Sequence, residues 1–139
     1  MTVFPYIAFN GNAEEAVNFY AKVLKAQLIL RRYSEMPGGP APAEEDKNRI
    51  INSQIIGDGF VFMASDYPAS MAGQYKGGSD ITLSITADSV AEAKRIFDEL
   101  AAGGQVIMPF AAVPWAEGYG MFTDKFNVNW QVNSPLIPM

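Results

Sequence analysis

Phe4-Pro5-Tyr6-Ile7-Ala8-Phe9-Asn10-Gly11-Asn12-Ala13-Glu14-Glu15-Ala16-Val17-Asn18-Phe19-Tyr20 is the stretch on which the fold turns. Residues 2–10 are rich in β-branched and aromatic side chains and read as a strand. Asn10-Gly11-Asn12 is turn chemistry. Asn12 then stands where a helix cap belongs, with Glu15 at the capping-box spacing. Ala16, Phe19, Tyr20, Val23 and Leu24 recur at 3-4 spacing and predict a helix to about Lys25.

The same order returns downstream. Residues 80–86 alternate Ile81, Leu83 and Ile85 with Thr82, Ser84 and Thr86, a half-buried strand pattern. Ser89 with Glu92 forms a second capping box. A second apolar stripe follows in Val90, Ala93, Ile96, Phe97 and Leu100, and Gly103-Gly104 stops the helix. Asn12 and Ser89 lie 77 residues apart, and one shift pairs Glu15 with Glu92, Phe19 with Ile96 and Tyr20 with Phe97. It also pairs Phe4, Tyr6 and Ala8 with Ile81, Leu83 and Ile85.

Three strand-like runs follow each helix: residues 27–33, 50–56 and 60–65 in one half, and 105–110, 120–123 and 129–133 in the other. Gly57-Asp58-Gly59 is a hairpin signal. The pattern is a twofold βαβββ repeat of α+β class. Residues 34–47 and 66–79, rich in Pro and Gly, are expected to be irregular, the first a long loop that is either mobile or a lid.

Period-2 logic assigns faces. With Phe4, Tyr6, Ala8, Ile81, Leu83 and Ile85 turned to the helices, the opposite faces carry Pro5, Ile7 and Phe9 in one strand and Thr82, Ser84 and Thr86 in the other. An apolar row and a hydroxyl row suit an amphipathic cavity. A solvent-facing threonine row is the competing reading.

Composition narrows the chemistry. The 139 residues contain no cysteine and no histidine. That removes disulfides, thiol nucleophiles, Ser-His-Asp triads and imidazole or thiolate metal sites. A net charge of −5 argues against nucleic acid and against an anionic membrane surface as partners. No apolar run is long enough to span a bilayer, and the N-terminal residues do not read as a signal peptide, so a cytoplasmic protein is expected.

The chain resembles the vicinal oxygen chelate superfamily, also called glyoxalase/bleomycin-resistance-like proteins, and within it the PhnB-like subgroup labelled demethylubiquinone methyltransferase-like. The resemblance rests on Pro5-Tyr6-Ile7-Ala8-Phe9, Ala16-Val17-Asn18-Phe19-Tyr20 and Ser65-Asp66-Tyr67-Pro68. It rests most on Trp115-Ala116-Glu117-Gly118-Tyr119-Gly120 and Thr123-Asp124-Lys125-Phe126-Asn127-Val128-Asn129-Trp130. It implies one domain over residues 1–139, with a first module of about 1–70 and a second of about 79–139. The two βαβββ modules are expected to form a mixed, U-shaped, eight-stranded sheet around a cleft, with helices outside. It also implies a homodimer.

Metal-using relatives hold a divalent ion with His, Glu or Gln on inward strand positions. Those positions fall here on Pro5 (or Phe4, if the first turn carries an insertion), near Met63, on Thr82 and on Gln131. Only Gln131 is an ordinary ligand, so no metal and no cofactor are expected. The methyltransferase label finds no Gly-rich nucleotide loop after a strand.

The expected ligand-binding residues are Asn52, Thr82, Trp115, Glu117, Tyr119 and Gln131. Asn52 opens the third strand, where the subgroup often carries histidine, and its amide can meet a carbonyl or hydroxyl. Trp115 and Tyr119 offer aromatic walls, whereas Trp130 reads as core. Asp66 and Glu117 are acids in family-like motifs, either a general base if buried near ligand, and Asp124 reads as a turn former. One of Arg31, Arg32 and Arg49 could clamp a carboxylate or phosphate. No pair of carboxylates is spaced for acid–base work, so catalytic residues stay unassigned. The leading expectation is a small-molecule-binding protein. An enzyme of lyase, isomerase or dioxygenase type with a non-standard metal site, and a structural or regulatory dimer, are the alternatives.

Overall fold

The computed structural model describes residues 1–138. Contacts divide the chain into two compact units, one ending at Lys76 and the other starting at Gly77. In the first, β1 (Tyr6–Phe9), α1 (Ala13–Val23), β2 (Gln27–Arg32), β3 (Ile50–Gly57) and β4 (Phe60–Asp66) follow in order. In the second, β5 (Leu83–Thr86), α2 (Val90–Ala101), β6 (Gln105–Val113), β7 (Ala116–Thr123) and β8 (Asn129–Asn133) repeat that order. The sheets run β1-β4-β3-β2 and β5-β8-β7-β6. β1 lies parallel to β4 and β5 parallel to β8, and every other pairing is antiparallel. Two mixed four-stranded sheets of identical topology thus carry the eight strands of the expected α+β repeat.

Each sheet packs one face on its own helix. Ala16, Val17, Tyr20 and Val23 of α1 are buried with Phe9, Ile55, Phe62 and Ala64. In the second unit Ala93, Ile96, Phe97 and Leu100 of α2 are buried with Phe122, Trp130 and Val132. Phe97 meets Phe122 edge-on at 5.2 Å between centroids. The α2 stripe is as expected, except that Val90 is exposed. In α1 the stripe is displaced: Val17 joins it, while Phe19 and Leu24 are only half-buried.

The face assignment holds in one unit and reverses in the other. Leu83 and Ile85 of β5 stand beside Trp130 and Val132, on the core side, leaving Ser84 and Thr86 on the open side. In β1, however, Ile7 and Phe9 stand beside Ala64 and Asp66, and Phe9 is 1% exposed against 53% for Tyr6. Ile7 and Phe9 therefore face the helix, and Tyr6 and Ala8 the open side. Asn12 comes three positions after Phe9, and Ser89 four positions after Ile85. An odd difference in turn length exchanges the faces of a strand. The counted ligand position accordingly moves, by parity, from Pro5 to the side of Phe4.

The start of α1 also departs from expectation. The Asn12 side chain makes no cap hydrogen bond. Asp66, at the end of the neighbouring β4, does the work: its Oδ1 accepts from Gly11 N at 2.8 Å and Ala13 N at 3.0 Å. At α2 the expected cap is present, with Ser89 Oγ accepting from Glu92 N at 3.1 Å. The Glu92 carboxylate does not close the box and instead pairs with Arg95.

β7 begins four residues earlier than its sequence pattern indicates. Gly118 lies before the strand that the pattern indicates and Gly120 at its first position, yet both lie well inside β7. A Cβ on Gly118 would come within 2.2 Å of the Phe110 ring, and one on Gly120 within 2.3 Å of Phe97. They are glycine because aromatic rings lie flat on the backbone there. β6 is an edge strand without a charged residue, and Val106, Ile107 and Met108 are all exposed.

Candidate functional site

The open face of the second sheet assembles several of the expected residues. Tyr119 of β7 stands beside Asn133 of β8, Met121 beside Gln131, and Gln131 beside Ser84. The polar groups form a relay. Tyr119 donates its hydroxyl proton to Gln131 Oε1 at 2.9 Å, and Gln131 Nε2 donates to Ser84 Oγ at 2.9 Å. The Ser84 O–H is left pointing onward as a donor. Trp115, in the two-residue turn between β6 and β7, donates from its indole nitrogen to Asn133 Oδ1 at 3.0 Å. Its ring meets Tyr119 edge-on at 5.4 Å. Trp115 is 37% exposed, whereas Trp130 is 2% exposed in the core, as their positions in turn and strand indicate. Thr82 precedes β5 and, by parity, shares this side with Ser84 and Thr86.

Of the other two expected residues, Glu117 stands on the same side of β7, two positions before Tyr119, and Asn52 lies in the other unit. Glu117 also lines a pocket of about 280 Å³ with Ser89, Val90, Ser134, Pro135 and Ile137, near the start of α2. Asn52 stands in β3 beside Arg31 of β2. Its side chain has no hydrogen-bond partner among the described residues. The structure also sorts the three arginines. Arg32 pairs with Glu14 and Glu35. Arg49 reaches the Asp46 carboxylate at 3.6 Å and donates to the Tyr67 carbonyl at 2.8 Å. Arg31 is exposed and has no ion-pair partner among the described residues.

Neither conspicuous aspartate is free to act as a base. Asp66, 3% exposed, accepts from Gly11 N, Ala13 N and, through Oδ2, Ile50 N at 2.9 Å. Asp124 is equally buried and accepts from Phe126 N at 2.8 Å, Val128 N at 3.0 Å and Trp130 Nε1 at 2.8 Å. It is the turn former its position indicates, holding Asn127 at φ 71°. Near Asp66, Tyr33 donates to the Asp66 carbonyl at 2.9 Å. Burial, then the charges of Asp46 and Asp66, raise the Tyr33 phenol above its ordinary value of 10.0, with Arg49 opposing. These groups tie β4, the start of α1 and the 34–49 segment together. They are scaffold.

The second sheet's open face is a poor match for a divalent cation. Glu117 is the one carboxylate its strands carry, and the Gln131 carbonyl oxygen is already engaged by Tyr119. Among the described residues no group of three or more His, Cys, Asp or Glu comes together. Hard cations need several carboxylates or carbonyls, and zinc or iron needs imidazole or thiolate. The residues do not fit a nucleotide-type methyl donor either. No glycine-rich loop follows a strand, and Asp66 already occupies the N–H groups of the turn after β1.

The fold, a repeated βαβββ unit with a helix on one face of each sheet, defines the glyoxalase/bleomycin-resistance-like class. A family model described as 3-demethylubiquinone-9 3-methyltransferase matches residues 1–133. The chain belongs to that family, the PhnB-like branch of the class. It is 33% identical to protein YjdN of Escherichia coli strain K12, over 96% of this chain and 95% of that one. Among solved structures, protein PA1353 from Pseudomonas aeruginosa is 37% identical, with a TM-score of 0.84 over 97% of this chain and 98% of that one. A PhnB protein from Bacillus cereus is 26% identical, with a TM-score of 0.78 over 96% and 99%. More distant structures share the fold alone, among them a glyoxylase/bleomycin resistance protein/dioxygenase domain from Frankia at 15% identity and a TM-score of 0.60.

Two signals were missed in the sequence. Asn133 holds the Trp115 indole but sits 18 residues from it. Arg31 is indistinguishable in sequence from Arg32 until the strand direction is known, because alternate residues face opposite sides.

Proposed function

We propose that the chain is a small-molecule-binding protein that takes its ligand on the open face of the second sheet, without a divalent metal. The observation that carries this reading is the convergence of Trp115, Tyr119, Gln131 and Ser84 on one face, as an aromatic wall beside a polar relay. The relay fixes rotamers before a ligand arrives, so little side-chain entropy is lost on binding. Strands β5, β6 and β8 carry no charged residue, and Glu117 of β7, two positions before Tyr119, is the one acid the sheet's strands bring to this side. With one acid and no base among these strands an anionic ligand is disfavoured, and the aromatic wall and relay match a neutral molecule with an aromatic or conjugated part and a hydrogen-bonding edge. The enzymatic alternative would need a metal, or an imidazole or carboxylate base within the relay, and Tyr119, Gln131 and Ser84 supply none of these. Pairing into a homodimer in the cytoplasm belongs to the same proposal. It is supported by the uncharged, exposed apolar residues of β6.

The two tryptophans provide the test. With Trp130 buried and Trp115 half-exposed, a ligand on this face quenches or shifts Trp115 emission. In a screen of neutral aromatic compounds, a saturable change lost in Trp115→Phe and weakened about tenfold in Gln131→Ala is expected. Hits that raise the melting temperature equally in wild type and both variants would place the ligand elsewhere. One equivalent of manganese, iron, nickel or zinc in protein purified without chelator would overturn the metal-free part.

A further inference from the structure

We propose that the open face of the first sheet is a carboxylate-binding subsite built on Arg31 and Asn52. It goes beyond the function proposed above, lies in the other unit, and stands or falls independently of it.

The residues of this face follow from register. Ala8 stands beside Ser65, and Arg31 beside Asn52. One step back, Tyr6 stands beside Met63, Met63 beside Gln54, and Gln54 beside Ile29. Two rows therefore cross the sheet, about 6.7 Å apart along the strands. One row is donors: the Arg31 guanidinium, the Asn52 amide and the Ser65 hydroxyl. Ser65 Oγ accepts from the Tyr6 hydroxyl at 2.9 Å, so its own proton is free to be donated outward. The neighbouring row is largely apolar, with Tyr6 53% and Ile29 40% exposed.

Three facts distinguish Arg31 from an ordinary solvated cation. Its two fellow arginines in this unit are consumed by Glu14, Glu35, Asp46 and the Tyr67 carbonyl, whereas Arg31 has no acidic partner among the described residues. No strand residue on this face is acidic, although the chain carries 15 acids against 10 bases. Asn52, directly beside Arg31, also keeps its amide unengaged. An uncompensated guanidinium next to two further donors matches a planar carboxylate, which the fork can take through two parallel bonds. The adjacent Tyr6-Met63-Ile29 row would hold an aryl or alkyl tail. The ligand class is a small carboxylic acid with an apolar body.

The test is an NMR titration of the full chain with benzoate, with benzamide and inorganic phosphate as controls. Saturable shifts of the Arg31 side-chain Nε–H and the Asn52 side-chain amide are expected with benzoate. Neither benzamide nor phosphate should reproduce them. Arg31→Gln should weaken benzoate about tenfold or more, and Arg31→Lys should restore only part, because an ammonium cannot fork. Amide spectra of both variants that superimpose on wild type away from β2 and β3 keep the comparison valid. Equal responses to benzoate and benzamide, unchanged affinity in Arg31→Gln, or equal occupancy by phosphate would overturn the assignment. So would a benzoate response confined to Trp115 and Tyr119.

Discussion

The two units are each organised by one buried aspartate, and the two aspartates work over very different spans of chain. Asp124 accepts from Phe126, Val128 and Trp130, all within six residues. Asp66 accepts from Gly11, Ala13 and Ile50, at separations of 55, 53 and 16. Each satisfies three N–H groups, and each is 3% exposed. The difference lies in what is joined. Asp124 shapes one turn, whereas Asp66 fastens β4 to the start of α1 and to the start of β3. Topology, not hydrogen-bond count, decides how much of a unit depends on one side chain.

That contrast can be broken by mutation. Asp66→Ala should have the largest effect, because it strands three N–H groups, two at the start of α1 and one at the start of β3. A loss of about 3–5 kcal/mol is expected, with α1 amides losing hydrogen-exchange protection first. Asp124→Ala strands the same number of donors, but all three lie within six residues of Asp124, so the damage stays local. About 2–3 kcal/mol is expected in denaturant melts, with disturbance confined to Trp130 fluorescence and the β7–β8 connection. Equal losses and equal spread in the two variants would refute the topological reading.

The helix caps sharpen the comparison at smaller scale. Ser89→Ala should cost about 1 kcal/mol, since Ser89 holds Glu92 N. Asn12→Ala should cost only a few tenths, because the Asn12 side chain holds nothing. A cost at Asn12 equal to that at Ser89 would mean that Asp66 is not the true cap.

The smallest effect concerns pH. Tyr33 keeps its proton in the folded chain above pH 10, where the unfolded chain releases it. Its contribution is complete below pH 10 and is lost as pH rises through the raised folded value. Tyr33→Phe should remove that part of the alkaline loss, at a cost of about 1 kcal/mol at pH 7 for the missing bond to Asp66. An unchanged alkaline limb would exclude Tyr33 as its source.

The legible parts of the molecule are those whose causes are local. The α2 stripe, the Ser89 cap and the alternation in β5 are all written within a few residues, and each is found where its pattern places it. The 77-residue repeat made the topology readable in the same way. What failed was distant or depended on parity. The faces of β1 were reversed because a repeat aligned on helices is blind to an odd difference in a turn. The cap of α1 was misassigned because Asn12 is a good capper by type, while the competitor sits on another strand. The start of β7 was hidden because Gly118 interrupts the strand pattern, and the rings that require glycine at 118 and 120 come from β6 and α2. Among site residues, Trp115, Tyr119 and Gln131 came together because two sit on one β-strand pair and the third in the adjoining turn. Glu117 shares the side of Tyr119 by the same alternation, whereas Asn52 is separated from them by unit.

Asp66 also sets an order of events. During synthesis, the residues of α1 emerge some fifty positions before the carboxylate that secures their first turn. Until β4 has been made and paired, that helix has no end to start from, and short helices in water are marginal. The second unit has no such wait, since Ser89 and Glu92 leave the ribosome almost together. The half of the chain made first should therefore be the slower to acquire its helix, because it must close a long loop before it can begin.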